Sequence, residues 1–454
     1  MKKTWIILST ISLGILSANA QSISNLYKSA LTTNPSIEQA YAQMKSSQQY
    51  ENQALGALLP QINIVGDVAS SRYINYGKYN DGDYTNSFHQ NKNWTIGVEL
   101  TQTIFNISDW RTLSLEKQVG QEASLTYQYT KEELIYNVAS NYMLALEDIA
   151  NLKSTQVEAK ALQSTLKITQ EQYKAGTNTI VNVSQAQAQY DEVLAKEITY
   201  KNELQNQLNT LYTITGQQVN SLQSLNKALF APYTITNPKA YIQQAMQNNL
   251  SLIVAATKVQ ESKESSKVAN GNFYPTVSLS AELARTNTEN PIEEGYEYGI
   301  TSSNLNQAEV ELSLTQPVFN GGILISKSIQ ANDNYIAALK GLISTQRTIT
   351  ENVNTDVNNI NSNYASISAY KAYLKSATIA YKNMLSSYKA GTETLTDLLI
   401  SQENLYSAKS ELISAQYNYL IAQFKLALDT GAINSSYINQ LDYILTNPEY
   451  VGTI

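Results

Sequence analysis

The chain repeats itself at an interval of 215 residues, and that duplication constrains the fold more than any other feature. Tyr173-Lys174-Ala175-Gly176-Thr177 returns unchanged as Tyr388-Lys389-Ala390-Gly391-Thr392. Thr215-Gly216 returns as Thr430-Gly431, and Pro60 ahead of Gln61-Ile62-Asn63-Ile64 matches Pro275 ahead of Thr276-Val277-Ser278-Leu279. Leu100-Thr101-Gln102 and Phe105-Asn106 match Leu314-Thr315-Gln316 and Phe319-Asn320 at an interval of 214. Two such intervals account for almost the whole chain, so each copy is one structural unit.

The N-terminus reads as a leader. Lys2 and Lys3 precede an apolar run from Trp5 to Leu16, and Ala18-Asn19-Ala20 supplies small residues for cleavage, so residues 1–20 are expected to be a secretory signal peptide. The mature chain would be Gln21–Ile454, 434 residues carrying a net charge of −9. The leader's apolar run is too short to span a bilayer, and no other segment reaches about 18 apolar residues. An exported chain without such a helix is either soluble or a β-barrel.

Each copy holds segments of alternating polarity, the period of a half-buried strand. Trp94, Ile96, Val98 and Leu100 alternate with polar neighbours, as do Val277, Leu279, Ala281 and Leu283, and then Ala308, Val310, Leu312 and Leu314. Strands are expected at about 61–76, 92–105, 275–287 and 306–319, lengths that suit membrane crossing. Tyr73, Tyr76, Trp94, Phe105, Tyr274 and Phe319 lie near their ends, where aromatic girdles form. Asp67, Glu99, Glu282, Glu309 and Glu311 then fall on the face turned to the lumen, with Arg285 as one of few cations, which predicts a cation-preferring interior. The links Gly77–Gln90 and Asn287–Asn306 are expected to be extracellular loops, the first carrying His89.

Long helical patterns follow the strand pairs. Ser108–Gln172 and Gly322–Ser387 contain no Pro and only Gly120 and Gly341 inside them, so each is expected to form one helix about 100 Å long. Pro35–Leu58 with Thr177–Thr215, and Leu250–Asn270 with Thr392–Thr430, give nearly the same length as two shorter helices stacked end to end. Leu398, Leu405, Leu412, Tyr419 and Leu426 are seven apart, with Ser401, Ala408, Ala415 and Ala422 between them, a large–small alternation that lets helices interdigitate. The repeated turn predicts antiparallel hairpins, with Gly176 and Gly391 in the left-handed conformation and Thr177 and Thr392 as the next N-caps.

The repeat divides the chain at 21–230 (helical hairpin about 108–215) and 231–432 (hairpin about 322–430), with 433–454 as a C-terminal tail. Composition agrees: only 18 Gly and 8 Pro leave few turns. With no Cys and His89 the one histidine, disulfides, thiolate metal sites and His-based triads are excluded. No acid, base and nucleophile converge, so neither enzyme nor cofactor nor metal site is expected. The acidic balance argues against nucleic acid.

Four strands cannot close a membrane barrel, which needs at least eight, and open edges are not tolerated in lipid. Subunits must therefore share one. The expected fold is an α+β membrane channel: long antiparallel α-helical hairpins in a coiled-coil α-barrel, plus four β-strands per chain.

The duplicated order of strand, strand, long helix, Tyr-Lys-Ala-Gly-Thr and helix resembles the TolC family of outer-membrane efflux and secretion channels. Asn34-Pro35-Ser36-Ile37, Ala188-Gln189-Tyr190-Asp191, Leu405-Tyr406-Ser407-Ala408-Lys409 and Tyr417-Asn418-Tyr419-Leu420 add to it. The resemblance implies a homotrimer with a 12-stranded barrel in the outer membrane lipid of a Gram-negative bacterium and a passive α-helical duct across the periplasm. It also implies opening by a periplasmic adaptor (a membrane fusion protein) and an inner-membrane RND, MFS or ABC transporter, for drug efflux or type I protein secretion. By the same resemblance, the periplasmic gate involves Tyr388, Glu393 and Asp397 at the second hairpin tip and Tyr173 and Asn182 at the first. Ile400 stands where the family has a second acid, Glu393 where it has a basic link, and Asn182 where it has the first-repeat acid. Ala175, Gly176, Thr177, Ala390, Gly391 and Thr392 would dock the adaptor. The rival from another class is a secreted trimeric coiled-coil structural or adhesive protein with a β-barrel anchor, which does not account for strands returning twice per chain.

Overall fold

The structure, a computed structural model, describes residues 21–78, 84–226, 228–290 and 301–450. The expected signal peptide lies outside them. The backbone divides into two compact units, one comprising the N-terminal segment to Ala42, Thr126–Ile253 and Ser344–Ile454, the other Gln43–Leu125 and Val254–Ile343.

The second unit carries a four-stranded antiparallel sheet. Its strands are β1 (Gln61–Lys78), β2 (Tyr84–Phe105), β4 (Thr276–Asn290) and β5 (Thr301–Thr315), in the order β1-β2-β4-β5. The first hairpin begins its pairing at Gln61 and Thr101 and the second at Thr276 and Thr315, so the two copies share one register. Strand runs further than the polar segments suggested. Most of Gly77–Gln90 is paired, and His89 sits in β2 opposite Tyr73 rather than in a loop. Asn287–Asn290 and 301–306 are likewise strand, because the ladder continues through the polar segments, and 79–83 and 291–300 lie outside the described residues. At its other end β5 stops at Thr315, ahead of Pro317, which has no amide hydrogen to continue the ladder, and this leaves Phe319 beyond it.

Cross-strand partners share a face, so the register sorts the side chains. Ile64, Val98, Leu283 and Ala308 form one row of the apolar face. Glu99, Glu282 and Glu309 form a row of the opposite face. Arg285 pairs with Ile96 and therefore lies on the apolar face, where its alternation with Ala281 and Leu283 already puts it, and not among the acids of the lumen face.

The first unit holds the hairpin tips. Helix α3 (Ile107–Lys174) turns into α4 (Ile180–Thr215), and α7 (Ile323–Lys389) turns into α8 (Leu395–Asp429). At 68 and 67 residues α3 and α7 are unbroken, since nothing inside them lacks an amide hydrogen. The end-to-end stacking is built twice. Helix α1 (Ile23–Thr33) ends at Asn34, and α2 (Pro35–Ala57) begins with a proline that needs no amide partner at a first helical position. The Asn34 side-chain amide donates to the Ile214 carbonyl at the end of α4, at 2.8 Å. In the second copy α5 (Pro238–Asn248) ends at Asn249, ahead of α6 (Leu250–Gly271), and the Asn249 amide donates to the Asp429 carbonyl at 2.9 Å. Each asparagine thus satisfies a carbonyl left open at a helix C-terminus.

The tail is folded. Helix α9 (Ser435–Ile444) leads into β6 (Leu445–Tyr450), which pairs with β3 (Ser221–Leu225), two short strands and a helix that periodicity alone did not reveal. The hydroxyl of buried Tyr142 on α3 accepts from the Gln223 amide of β3 at 2.6 Å and lies 3.0 Å from the Gln21 carbonyl, tying this small sheet to the helices.

Candidate functional site

Both hairpin tips are built by the same backbone device. Gly176 and Gly391 adopt φ of +76° and +78°, which a side chain would strain. The Gly176 amide reaches the Tyr173 carbonyl at 2.9 Å and Thr177 the Gln172 carbonyl at 2.9 Å; Gly391 to Tyr388 and Thr392 to Ser387 repeat this at 3.0 Å each. This double closure satisfies the last carbonyls of α3 and α7. Thr177 and Thr392 are not the following N-caps. Their hydroxyls donate back to Gln172 and Ser387 carbonyls, and Thr179 and Thr394 cap α4 and α8 instead, because two further residues are needed to reverse the chain.

Side chains distinguish the tips. At the first, the Asn182 amide donates to Asn178 at 2.6 Å and Asn178 donates to Gln172 at 2.9 Å, a neutral network. At the second, the Asp397 backbone amide donates to the Thr394 hydroxyl at 3.2 Å, while that hydroxyl bonds the Asp397 carboxylate. Asp397 therefore stands in the first turn of α8, where the helix dipole favours a negative charge. Glu393 is exposed beside it, and Ala175, Thr177, Ala390 and Thr392 are exposed around the glycines.

The hairpins meet through a small apolar cluster of Ala159, Leu162, Leu166, Ala186, Val193, Leu395, Leu398 and Leu399. Tyr388 packs against it and encloses its hydroxyl without a hydrogen-bond partner, whereas Tyr173 is 46% exposed. The pseudo-equivalent tyrosines thus occupy different surroundings. Thr396 on α8 donates to Gln185 on α4 at 3.3 Å, a polar link between the hairpins.

The second candidate feature is the acidic face of the sheet. Glu99, Glu282 and Glu309 stand directly opposite one another, Glu311 lies opposite Ser280, and Asp67 opposite Thr95. Like charges in register repel one another, so such a row favours a nearby cation. The row was half legible: Glu282 and Glu309 occupy the positions of Asp67 and Thr95 in the first hairpin. The contact of Glu99 with Glu282 depends on the β2–β4 pairing, which links the copies.

Sequence reasoning missed a set of buried acids in the first unit. Asp356 on α7 and Asp429 on α8 are only 5% and 6% exposed. Burial, and then the Asp429 charge beside it, push the Asp356 carboxyl up to about 8, while Lys425 holds Asp429 at 3.1 Å. Burial likewise raises Glu158, Asp148 and Glu132 to about 7 each. Their spacing carries no signal, because burial is set by which helices surround them. Among the described residues no group of three or more acids or histidines could hold a metal ion, and no helix is long and apolar enough to cross a membrane.

A sheet with one apolar and one acidic face, continued by duplicated helical hairpins, defines a subunit of a membrane channel built from strands and helical tubes. The comparisons with known proteins narrow this. The family model described as outer membrane efflux protein matches residues 26–217 and again 241–432, one match per copy. The chain is 32% identical over 464 residues to the outer membrane protein TolC of Escherichia coli strain K12, covering 100% of this chain and 92% of that one. It is 22% identical over 418 residues to the alkaline protease secretion protein AprF of Pseudomonas aeruginosa, 90% of this chain and 84% of that one. Its fold is similar to that of the Campylobacter jejuni CmeC outer membrane channel, with a TM-score of 0.74, 16% identity and 98% of each chain covered. The chain belongs to the outer membrane efflux protein family, the outer-membrane efflux and secretion channels that extend into the periplasm.

Proposed function

We propose that three copies of this chain close a 12-stranded barrel continued by a periplasmic helical duct, a passive exit opened from its periplasmic end. The observation that carries the reading is the sheet itself. It has four strands, edges at β1 and β5, an apolar face suited to lipid and an acidic face suited to a wet lumen. A periplasmic adaptor would dock at the exposed tips around Gly176 and Gly391, and an inner-membrane transporter of the RND, MFS or ABC type would supply the energy. The relatives named for efflux and protease secretion support drugs or unfolded proteins as cargo.

At the closed end, three copies of Asp397 would converge and attract cations, with Glu393 adding charge where the family has a basic link. Ile400 is exposed at the family's second acidic position, so one acidic ring would act where two are usual. Tyr388 would anchor the tip to the apolar cluster, with Tyr173 and the Asn182 network as its neutral counterpart. Asp67, Glu99, Glu282, Glu309 and Glu311 would bias the barrel lumen toward cations.

The test is a planar bilayer recording with multivalent cations added on the periplasmic side. Wild type is expected to be blocked at micromolar concentrations, and Asp397→Asn to lose the block at least tenfold. Equal block in both would remove Asp397 from the gate, and a monomeric mass in detergent would remove the shared barrel. For docking, Ala175→Trp with Ala390→Trp is expected to abolish crosslinking to the adaptor; retained crosslinking would place the dock elsewhere.

A further inference from the structure

The root of the second hairpin holds two carboxyls that face each other away from water. Asp356 on α7 and Asp429 on α8 each lie about 50 Å from the tip along their helices, at one level of the pair. Their chain neighbours Val353, Val357, Leu426 and Leu428 are buried as well. The Asp429 carboxyl stands within hydrogen-bonding reach of Asp356. Yet Oδ2 of each acid is buried with no hydrogen-bond partner. An ionised carboxylate only accepts, so two of them cannot satisfy one another. One proton added to either lets it donate to the other.

The surrounding charges favour that proton. Two carboxylates would meet one ammonium: Lys425 bonds Asp429 at 3.1 Å and lies 5.7 Å from the centre of the Tyr136 ring. Asp429 is the last residue of α8, where the helix dipole disfavours a negative charge. From α3 the pair faces Tyr136 and Tyr129, whose hydroxyls burial keeps un-ionised, with Glu132 and Glu133 beside Tyr129. Burial raises Glu132 itself to about 7. The junction of α5 and α6 presents the neutral Asn249, which bonds the Asp429 carbonyl. The first copy has Asn141 and Ile214 at the corresponding positions, so its hairpin lacks the pair.

We propose that Asp356 and Asp429 share one proton, which ties α7 to α8 at the root of the second hairpin and is released in alkaline surroundings. The sign follows from burial. The paired carboxyl holds its proton up to about pH 8, whereas a water-exposed aspartate gives it up at about pH 4. The tie therefore weakens as pH rises from about 4 to about 8, and above that two carboxylates repel across one lysine. The hairpin that carries Asp397 responds to pH through this pair, and the first hairpin does not. The tie needs neither the shared barrel nor the acidic ring at the tip.

Infrared spectroscopy of the full-length protein in detergent, titrated from about pH 5 to about pH 10, reads the proton directly. Wild type is expected to lose the band of one more protonated carboxyl per chain than Asp356→Asn, with a midpoint at about pH 8. Lys425→Met, which removes the cation, should move that midpoint up by about one pH unit. Amide hydrogen exchange, corrected for the intrinsic effect of pH, reads the tie. Protection of residues 353–360 and 424–430 should fall about tenfold between about pH 6 and about pH 9 in wild type. Asp356→Asn, whose side-chain amide donates in place of the proton, should abolish most of that fall and leave residues 209–215 of the first hairpin unchanged. Should Asp356→Asn not assemble, Asp429→Asn is expected to lose the same band and the same response. The same carboxyl bands in wild type and variant, or a midpoint indifferent to Lys425→Met, overturns the shared proton. A pH response that survives Asp356→Asn overturns the tie. In each case a measured oligomer and conductance would leave the channel reading standing.

Discussion

The two copies within this chain have kept their backbone and diverged in their charges. Both tips close on a left-handed glycine with the same pair of backbone hydrogen bonds, and both stacked-helix junctions are sealed by an asparagine reaching a C-terminal carbonyl. Yet the first tip is tied by amides and the second by an acid. The buried Asp356 and Asp429 stand where the first copy has Asn141 and Ile214. Geometry is repeated because every copy must turn and stack in the same way. Charge is free to specialise, and it does so in the second copy.

The sharpest way to break that equivalence is at the junction glycines. A Cβ on Gly431 would clash with the Asn248 backbone carbonyl, and at φ +67° it would be strained as well. Gly431→Ala is expected to cost roughly 3 kcal/mol or more, read as loss of folded oligomer on thermal melting. At Gly216 the nearest atom is the Thr33 hydroxyl at 3.0 Å, a side chain with room to move. Gly216→Ala should cost roughly 1–2 kcal/mol; equal losses at both would show that backbone strain alone governs the junctions.

The asparagines come next. Asn249 both bonds the Asp429 carbonyl and accepts from the Leu252 amide at 2.9 Å, in buried surroundings. Asn34 does the same for Ile214 and Ser36 but in a more open site. Asn249→Ala is expected to cost about 2 kcal/mol and Asn34→Ala about 1 kcal/mol, measured by denaturant unfolding. A reversed order would mean that exposure does not set the strength of the seal.

A pH titration separates the copies by charge. With its carboxyl raised to about 8, Asp356 holds a proton in the folded chain that the unfolded chain releases near pH 4. Folding therefore takes up a proton between about pH 4 and 8, and the stability it contributes falls as pH rises through that window. Asp356→Asn should flatten the decline and stabilise the protein by about 1 kcal/mol at pH 8.5, seen as a higher melting temperature there and little change at pH 5. A variant with the wild-type slope would show that Asp429 or the other buried acids carry the titration. Among the glycine substitutions, the smallest effect is expected at the tips. Gly176→Ala and Gly391→Ala meet nothing within 4 Å, so each should cost only the left-handed strain, about 1 kcal/mol.

Much of this was legible in the chain. The 215-residue interval, the unbroken runs that became α3 and α7, and the alternating segments that became the sheet follow from local physics: period, absence of Pro, and placement of Gly. The stacked helices were legible too, since Pro35 can only begin a helix. Arg285 was set among the lumen acids although its alternation with Ala281 and Leu283 puts it on the apolar face, whereas the strand at His89 and the caps at Thr179 and Thr394 were misjudged because each depends on a register or a turn length that neighbouring residues fix. The small β3–β6 sheet left no periodic trace in five- and six-residue strands, and one of them lies in the C-terminal tail.

By itself the sequence determined that the chain would hold two equal repeats of strands and long helices, because period and turn chemistry act over a few residues. Only the tertiary structure decided that Glu99, Glu282 and Glu309 form one row, and that Asp356 is buried against Asp429. Those outcomes require β2 to pair with β4 and α7 to pack near α8, contacts between residues far apart in the chain, whose energies no local pattern records.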